Sequence, residues 1–240
     1  MEIAPTGEQP TYPESQVFEG LLPLDGARIL ELGCGTAELT RQIATTGRGR
    51  TILALEVDET QLAINESIAD LPNVRFAFGG AEAIPAPDDS FDVVFMFKSL
   101  HHVPPEFMSQ ALKEIHRVLK RGGLAYISEP RYEGAFNDIV KLFHDELEVR
   151  QLAFAAVRGA VQAGTLQLVQ QVFFQVPVQF QDFAEFESRM IGVTHTRFNL
   201  SAEVLESVRA RFSEHVTADG ASFLQPMRVD LLRKPVSPVA

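Results

Sequence analysis

Over residues 26–130 the apolar positions follow two periods that take turns. Runs of consecutive apolar residues near 28–32, 51–56, 74–78, 91–96 and 124–129 predict five short strands. Between them apolar residues recur at helical spacing, as in Leu39, Ile43 and Ala44, and predict helices beginning near 36, 59, 81 and 105. Pro104-Pro105 suits a helix start, and Gly122-Gly123 suits the end of a helix carrying Arg117 and Lys120 in its last turns. Strand and helix in alternation imply a parallel sheet covered on both faces, with a ligand at the carboxyl edge of the strands.

Beyond Pro130 the pattern changes. Residues 134–176 show helical spacing (Phe136, Ile139, Val140, Phe143, Leu147), and 161–174 are strongly apolar with Gln between. Ser201 is placed to cap a helix running through Phe212. The tail reads as two final strands, around His215–Thr217 and Met227–Leu232, joined through Asp219-Gly220. The expected organisation is an irregular N-terminal segment (1–16), either a frayed tail or a cover over the site, a cofactor-binding core (17–130), a mostly helical insertion (131–200) serving as lid, substrate pocket or dimer surface, and a last helix with closing strands (201–240). The expected fold is α/β: a seven-stranded, mostly parallel sheet with helices on both faces and a helical insertion before the last two strands.

One turn carries the chemistry. The strand Ile29-Leu30-Glu31-Leu32 runs into Gly33-Cys34-Gly35-Thr36, and a helix follows. Glycine suits a backbone that turns sharply and lies against a ligand with no Cβ between. The next strand ends in Glu56, where a carboxylate can accept from ribose hydroxyls. The pattern predicts an adenosine-containing cofactor. A pyrophosphate-binding turn asks for glycine at the sixth position, which here is Glu38. An acid there competes for the helix N-terminus, and Glu31 adds negative charge two residues before the first glycine. Two acids around the turn favour a cofactor with positive charge near the glycines.

The segment Glu31-Leu-Gly-Cys-Gly-Thr36 resembles the first motif of the class I S-adenosylmethionine-dependent methyltransferases, in their small-molecule branch. Glu56-Val57-Asp58, Phe78-Gly-Gly-Ala-Glu82, Ser90-Phe-Asp-Val-Val-Phe95, Leu100-His-His-Val103, Glu114 to Lys120 and Gly122 to Ile127 resemble the later motifs, in order. The resemblance covers a little over half the chain. It implies a Rossmann-like sheet closed by antiparallel strands and S-adenosylmethionine as cofactor, with S-adenosylhomocysteine as product. The cofactor residues it implies are Glu31, Gly33, Cys34, Gly35, Thr36, Glu56, Val57, Gly80, Ala81, Glu82 and Phe97. One departure stands out: where this branch usually reads Gly-Asp-Ala-Glu, position 80 is glycine, which removes the aspartate that accepts from the adenine amino group.

Composition narrows the remaining classes. The chain has 240 residues, 45% of them hydrophobic, and a net charge of −11. That charge and the lack of a basic run argue against a nucleic-acid partner. The single cysteine, Cys34, permits no internal disulfide and suits a reducing compartment. With no long apolar stretch and no basic leader at the N-terminus, the expectation is a cytoplasmic protein with no membrane partner.

Candidate catalytic residues are His101 and His102, which follow the fourth strand and titrate in the physiological range. Candidate substrate residues are Lys98, Arg131, Tyr12, His195 and Arg197. With His144, Arg158 and Arg189 they suggest an anionic small molecule. Phe173, Phe174, Phe180, Phe183 and Phe186 suit core or dimer packing, or an aromatic-substrate pocket; a homodimer through 131–200 is one expectation. No metal is expected, because adjacent histidines diverge and no carboxylate stands at a ligand spacing from them. Two other functions share the pattern: a nicotinamide-dependent oxidoreductase, and a non-catalytic cofactor-binding member of the same fold. A modified form of the cofactor is a further variant.

Overall fold

The computed structural model describes residues 1–194, 196 and 198–236. An eight-stranded sheet forms its centre. Strands β1 (Arg28–Leu32), β2 (Thr51–Glu56), β3 (Val74–Phe78), β4 (Phe91–Phe97) and β5 (Leu119–Pro130) pair in parallel. Strands β6 (Gln167–Phe180) and β8 (Gly220–Arg233) continue it antiparallel, giving the order β3-β2-β1-β4-β5-β8-β6. A two-residue strand, β7 (Val216–Thr217), pairs with β8. β1 and β4 are nearly unbroken apolar runs because both their faces are covered.

The pleat sends alternate residues to opposite layers. Leu30, Leu32, Val94 and Met96 pack with α4 (Pro105–Val118) and α6 (Leu147–Gln162). Ile29, Phe95, Phe97 and Tyr126 face α1 (Glu14–Leu21) and α2 (Glu38–Thr45). The remaining α-helices among the described residues are α3 (Glu59–Glu66), α5 (Ala135–Val140), α7 (Phe183–Phe186) and α8 (Ala202–Ser213). A third core joins α5, α7 and α8 to the ends of β6 and β8. Phe180, Phe183 and Phe186 belong to it and Phe174 to the α1 layer, so these four phenylalanines fill cores.

The five parallel strands stand where the sequence puts them, and Ser201 caps α8 by accepting from the Val204 amide. Three expectations are corrected. The long antiparallel partner of β8 is β6, inside the stretch expected to be helical, so the sheet has eight strands and not seven. β6 is an edge strand, half-exposed along most of its length, with Pro177 tolerated for that reason. No helix starts near 81, where a turn-rich segment links β3 to β4. Gly122-Gly123 lie within β5, whose pairing with β4 shifts register between Phe91 and Val93. The preceding helix has already ended at Val118.

Sequential strands run outward from β1 through β2 to β3, whereas β4 lies on its other side. The carboxyl ends of β1 and β4 therefore flank the switch point where open α/β sheets bind ligands.

Candidate functional site at the carboxyl edge of the sheet

The turn after β1 is tied down from two sides. The Gly33 and Cys34 amides both donate to the Leu55 carbonyl of β2, at 2.9 and 3.0 Å. A Cβ on Gly33 would come within 2.9 Å of Ser99 Cβ, and φ there is +72°, so this position takes only glycine without strain. Gly35 differs: φ is +51° and no heavy atom lies within 4 Å of where a Cβ would stand. That open side is the cradle. From α3, buried Asn65 donates to the Gly35 carbonyl at 2.7 Å and is held in turn by Gln61 at 3.0 Å. Sequence reasoning missed Asn65, since nothing in its local pattern marks it.

Two acids bracket the turn. Glu56 accepts from the Gly35 amide through Oε2 at 2.7 Å, and through Oε1 from the Val57 and Asp58 amides at 2.8 and 3.0 Å. Three backbone donors fix its orientation and leave Oε2 with a lone pair toward the cradle. Glu31 is buried and accepts from the Thr40 hydroxyl at 2.6 Å. Burial, with the Glu56 charge adding to it, pushes its carboxyl up to about 7 despite that hydrogen bond. The Cys34 thiol is pushed well above its usual range by burial and then by the charges of Glu31 and Glu56. A thiol so disfavoured as thiolate is a packing group, not a nucleophile.

At the ends of β2 and β3, which align Glu56 with Phe78, two apolar side chains stand in solvent: Val57 is 57% and Phe78 58% exposed. The strand end leads to Gly79, Gly80, buried Ala81 and Glu82. A Cβ on Gly80 would overlap the Glu82 carboxylate, 2.5 Å from Oε2. Glu82 thus folds back over the position that lacks a side chain.

Phe97 is buried at the tip of β4, and Lys98 follows in a left-handed conformation with φ +53°. Its amide donates to the Ser128 carbonyl at 2.7 Å. Beneath it, Glu14 of α1 is buried and accepts from the Tyr126 hydroxyl at 2.8 Å. The Ser128 hydroxyl lies beside this pair. Burial raises the Glu14 carboxyl, while the Lys98 charge pulls the other way. Glu14 and Tyr126 lie far apart in sequence, so no motif could have joined them.

His101 is buried between two carboxylates. Its Nδ1 meets Glu129, and its Nε2 lies 3.4 Å from Glu146 Oε1. Burial opposes its charge, but Glu129 and Glu146 outweigh burial and raise it to about 9. Glu146 also meets His144 Nε2 at 2.9 Å and Arg150 at 2.5 Å, and lies well below the usual carboxylate range. With Glu129 on Nδ1 and Glu146 facing Nε2, His101 is held by its carboxylate neighbours and fixes the turn rather than standing open to a substrate. His102 is exposed, its ring 4.1 Å from that of His101.

Arg131 and Tyr12 have partners of their own. Arg131 is buried against Glu133 (2.6 Å), Gln9 (2.7 Å) and the Phe173 ring. Tyr12 belongs to a strap along β6, its amide donating to the Gln175 carbonyl at 3.0 Å. His195 and Arg197 lie outside the described residues. The structure brings Glu31, Gly33, Cys34, Gly35 and Glu56 together.

Residues 29–123 match the family model for a methyltransferase domain. A demethylmenaquinone methyltransferase of Lysinibacillus sphaericus is 34% identical over 106 residues, covering 43% of this chain and 44% of the relative. The 27-O-demethylrifamycin SV methyltransferase of Amycolatopsis mediterranei is 33% identical over 130 residues, covering 49% and 44%. The matched part thus spans under half the length of these relatives. Among solved structures, the YcgJ protein of Bacillus subtilis superposes with a TM-score of 0.61 at 18% identity, over 92% of this chain and 97% of that one, a likeness of fold. Over residues 29–123, under half of its length, the chain is thus similar to a methyltransferase domain.

Proposed function

We propose that the protein binds S-adenosylmethionine at the carboxyl edge of β1, β2 and β4 and transfers its methyl group to a small organic acceptor. The observation that supports this most is the pairing of an open glycine cradle at Gly35 with two fixed acids, Glu31 and Glu56. A pyrophosphate would meet both negative charges, whereas a sulfonium and an ammonium are stabilised by them.

In this reading the backbone of Gly33, Cys34, Gly35 and Thr36 lines the methionine part. Glu31 receives the ammonium group, and Glu56 Oε2 accepts from a ribose hydroxyl. Val57 and Phe78 supply the apolar faces that an adenine ring covers, with the Ala81 amide at its edge. Glu82 takes over from the missing aspartate: its carboxylate occupies the volume left by Gly80, so the adenine amino group keeps an acceptor. Phe97 closes the floor below the methyl donor.

When bound, the cofactor supplies a methyl group already activated by its sulfonium. The chain's task is then to align the acceptor and exclude water, which supplies roughly 7–11 kcal/mol in well-oriented systems. In this reading Lys98, just past the tip of β4, and His102, in the turn that follows, face the acceptor. His101 positions the turn that carries them, through its carboxylate partners. An organic acceptor is in keeping with relatives named for demethylmenaquinone and 27-O-demethylrifamycin SV, and the net charge of −11 disfavours nucleic acid. The lone buried thiol suits the reducing cytoplasm. Among the described residues no helix is long and apolar enough to cross a membrane.

The test is release of S-adenosylhomocysteine when the protein and S-adenosylmethionine meet a panel of hydroxylated and carboxylated aromatic compounds. Turnover that Glu56→Gln reduces is expected. Turnover unchanged in that variant removes Glu56 from the site.

A further inference from the structure

We infer that the turn after β4 carries a zinc site, built by His101 Nε2, His102 and Glu146, with His144 at its edge. The ligand atoms of His101, His102 and Glu146 lie within 4.8 Å of one another. They come from two places, the turn at 100–103 and the start of α6, so no sequence spacing announces them. This is why adjacent histidines, poor as a pair, become useful once Glu146 is brought over them.

The geometry favours a metal over a chance cluster. Zinc bonds nitrogen and oxygen at about 2.0–2.2 Å, so two tetrahedral ligands stand roughly 3.4 Å apart. His101 Nε2 and Glu146 Oε1 are 3.4 Å apart, longer than a good hydrogen bond and right for that edge. His144 Nε2, 2.9 Å from the same oxygen, is in reach as a further donor.

Each of two ligands has an outer partner. Glu129 holds His101 Nδ1, which presents Nε2 outward, the carboxylate–histidine arrangement that fixes ring orientation in metal sites. Arg150 holds Glu146 Oε2 at 2.5 Å and leaves Oε1 directed at the histidines. Arg150 is itself fixed by the Asn137 side chain at 2.9 Å.

The site is buried on two sides and reachable on the third. His101 and Glu146 are buried, whereas His102 is exposed, so an ion can enter without opening the core. A nitrogen, nitrogen, oxygen set suits zinc better than magnesium or calcium, which prefer oxygen alone. With three side chains as ligands, a fourth position remains for water or an acceptor oxygen. The inference stands apart from the methyl-donor reading, because metal binding can be measured with no cofactor present.

The experiment is titration of tag-free, chelator-treated protein with zinc ion, followed by calorimetry and by metal content after gel filtration. Expected is one zinc per chain, with His102→Ala weakening binding roughly tenfold or more while its circular dichroism stays that of the parent. Glu146→Gln is expected to weaken it similarly. His102 is on the surface, so its variant folds even if Glu146→Gln does not. No saturable zinc binding by the parent, or equal affinity in His102→Ala, overturns the site and leaves the cluster a network of ion pairs.

Discussion

Replacing Glu31 by Gln tests the electrostatics of the turn. Glu31 is 2% exposed, and its carboxyl is raised from 4.5 to about 7, chiefly by burial. In the unfolded chain it ionises near its ordinary value. Between those two points the folded state holds a proton that the unfolded state has released, so stability falls as pH rises and the loss is complete a little above pH 7. The interval corresponds to ~3 kcal/mol. Glutamine keeps the shape and can accept from the Thr40 hydroxyl, but it has no charge to bury. The difference in unfolding free energy, variant minus parent, should therefore rise by ~3 kcal/mol between about pH 4.5 and pH 8. His101 titrates in both proteins and cancels from the difference. The chain has no tryptophan, so urea unfolding is followed by far-ultraviolet circular dichroism. A flat difference across this range refutes the buried-acid account. The same charge predicts that S-adenosylmethionine binds more tightly as pH rises through about 7, and that Glu31→Gln removes this dependence.

Further outcomes follow from the same geometry. Glu82→Ala should weaken S-adenosylmethionine binding by about 1.5–3 kcal/mol, the worth of a charge-assisted hydrogen bond. Gly80→Asp alone should weaken binding, since its Cβ meets the Glu82 carboxylate, yet strengthen it in the Glu82→Ala background; additive effects by calorimetry would show that the two positions do not share one volume. Asn65→Ala frees the Gly35 carbonyl and should cost about 1–3 kcal/mol in stability, with faster amide exchange at Gly35; unchanged exchange means the turn does not depend on α3. His101→Ala strands Glu129 and Glu146 and should cost about 3–5 kcal/mol at neutral pH. That penalty shrinks as pH rises through about 9, where parent His101 loses its proton; a pH-independent penalty would contradict the ion pair.

The parallel half of the sheet was legible because buried strands must be apolar on both faces, and the glycine turn because its dihedral angles exclude other residues. β6 was not. Its Leu168, Val172, Phe173 and Val176 fit a helical period as well as an extended one, and its edge position leaves Gln residues in solvent. What decides it is pairing with β8, about fifty residues later. In the site, Glu31 and Glu56 could be read from their places at strand ends. Asn65, Glu14 and Glu146 could not, since each meets its partners through the folded chain. The reading of His101 as a base failed to foresee its burial between carboxylates, which only the approach of β5 and α6 creates. Gly80 was visible as a departure, and Glu82 as an acid beside it; that the Glu82 carboxylate folds back over Gly80 required coordinates.

The most direct test of the central claim is calorimetric titration with S-adenosylmethionine, S-adenosylhomocysteine and NADH, after removal of any cofactor carried through purification. Binding of the first two at micromolar concentration, with none of the third, is the predicted result. Binding of NADH alone, or of none, would contradict the cofactor reading of the acid-lined turn.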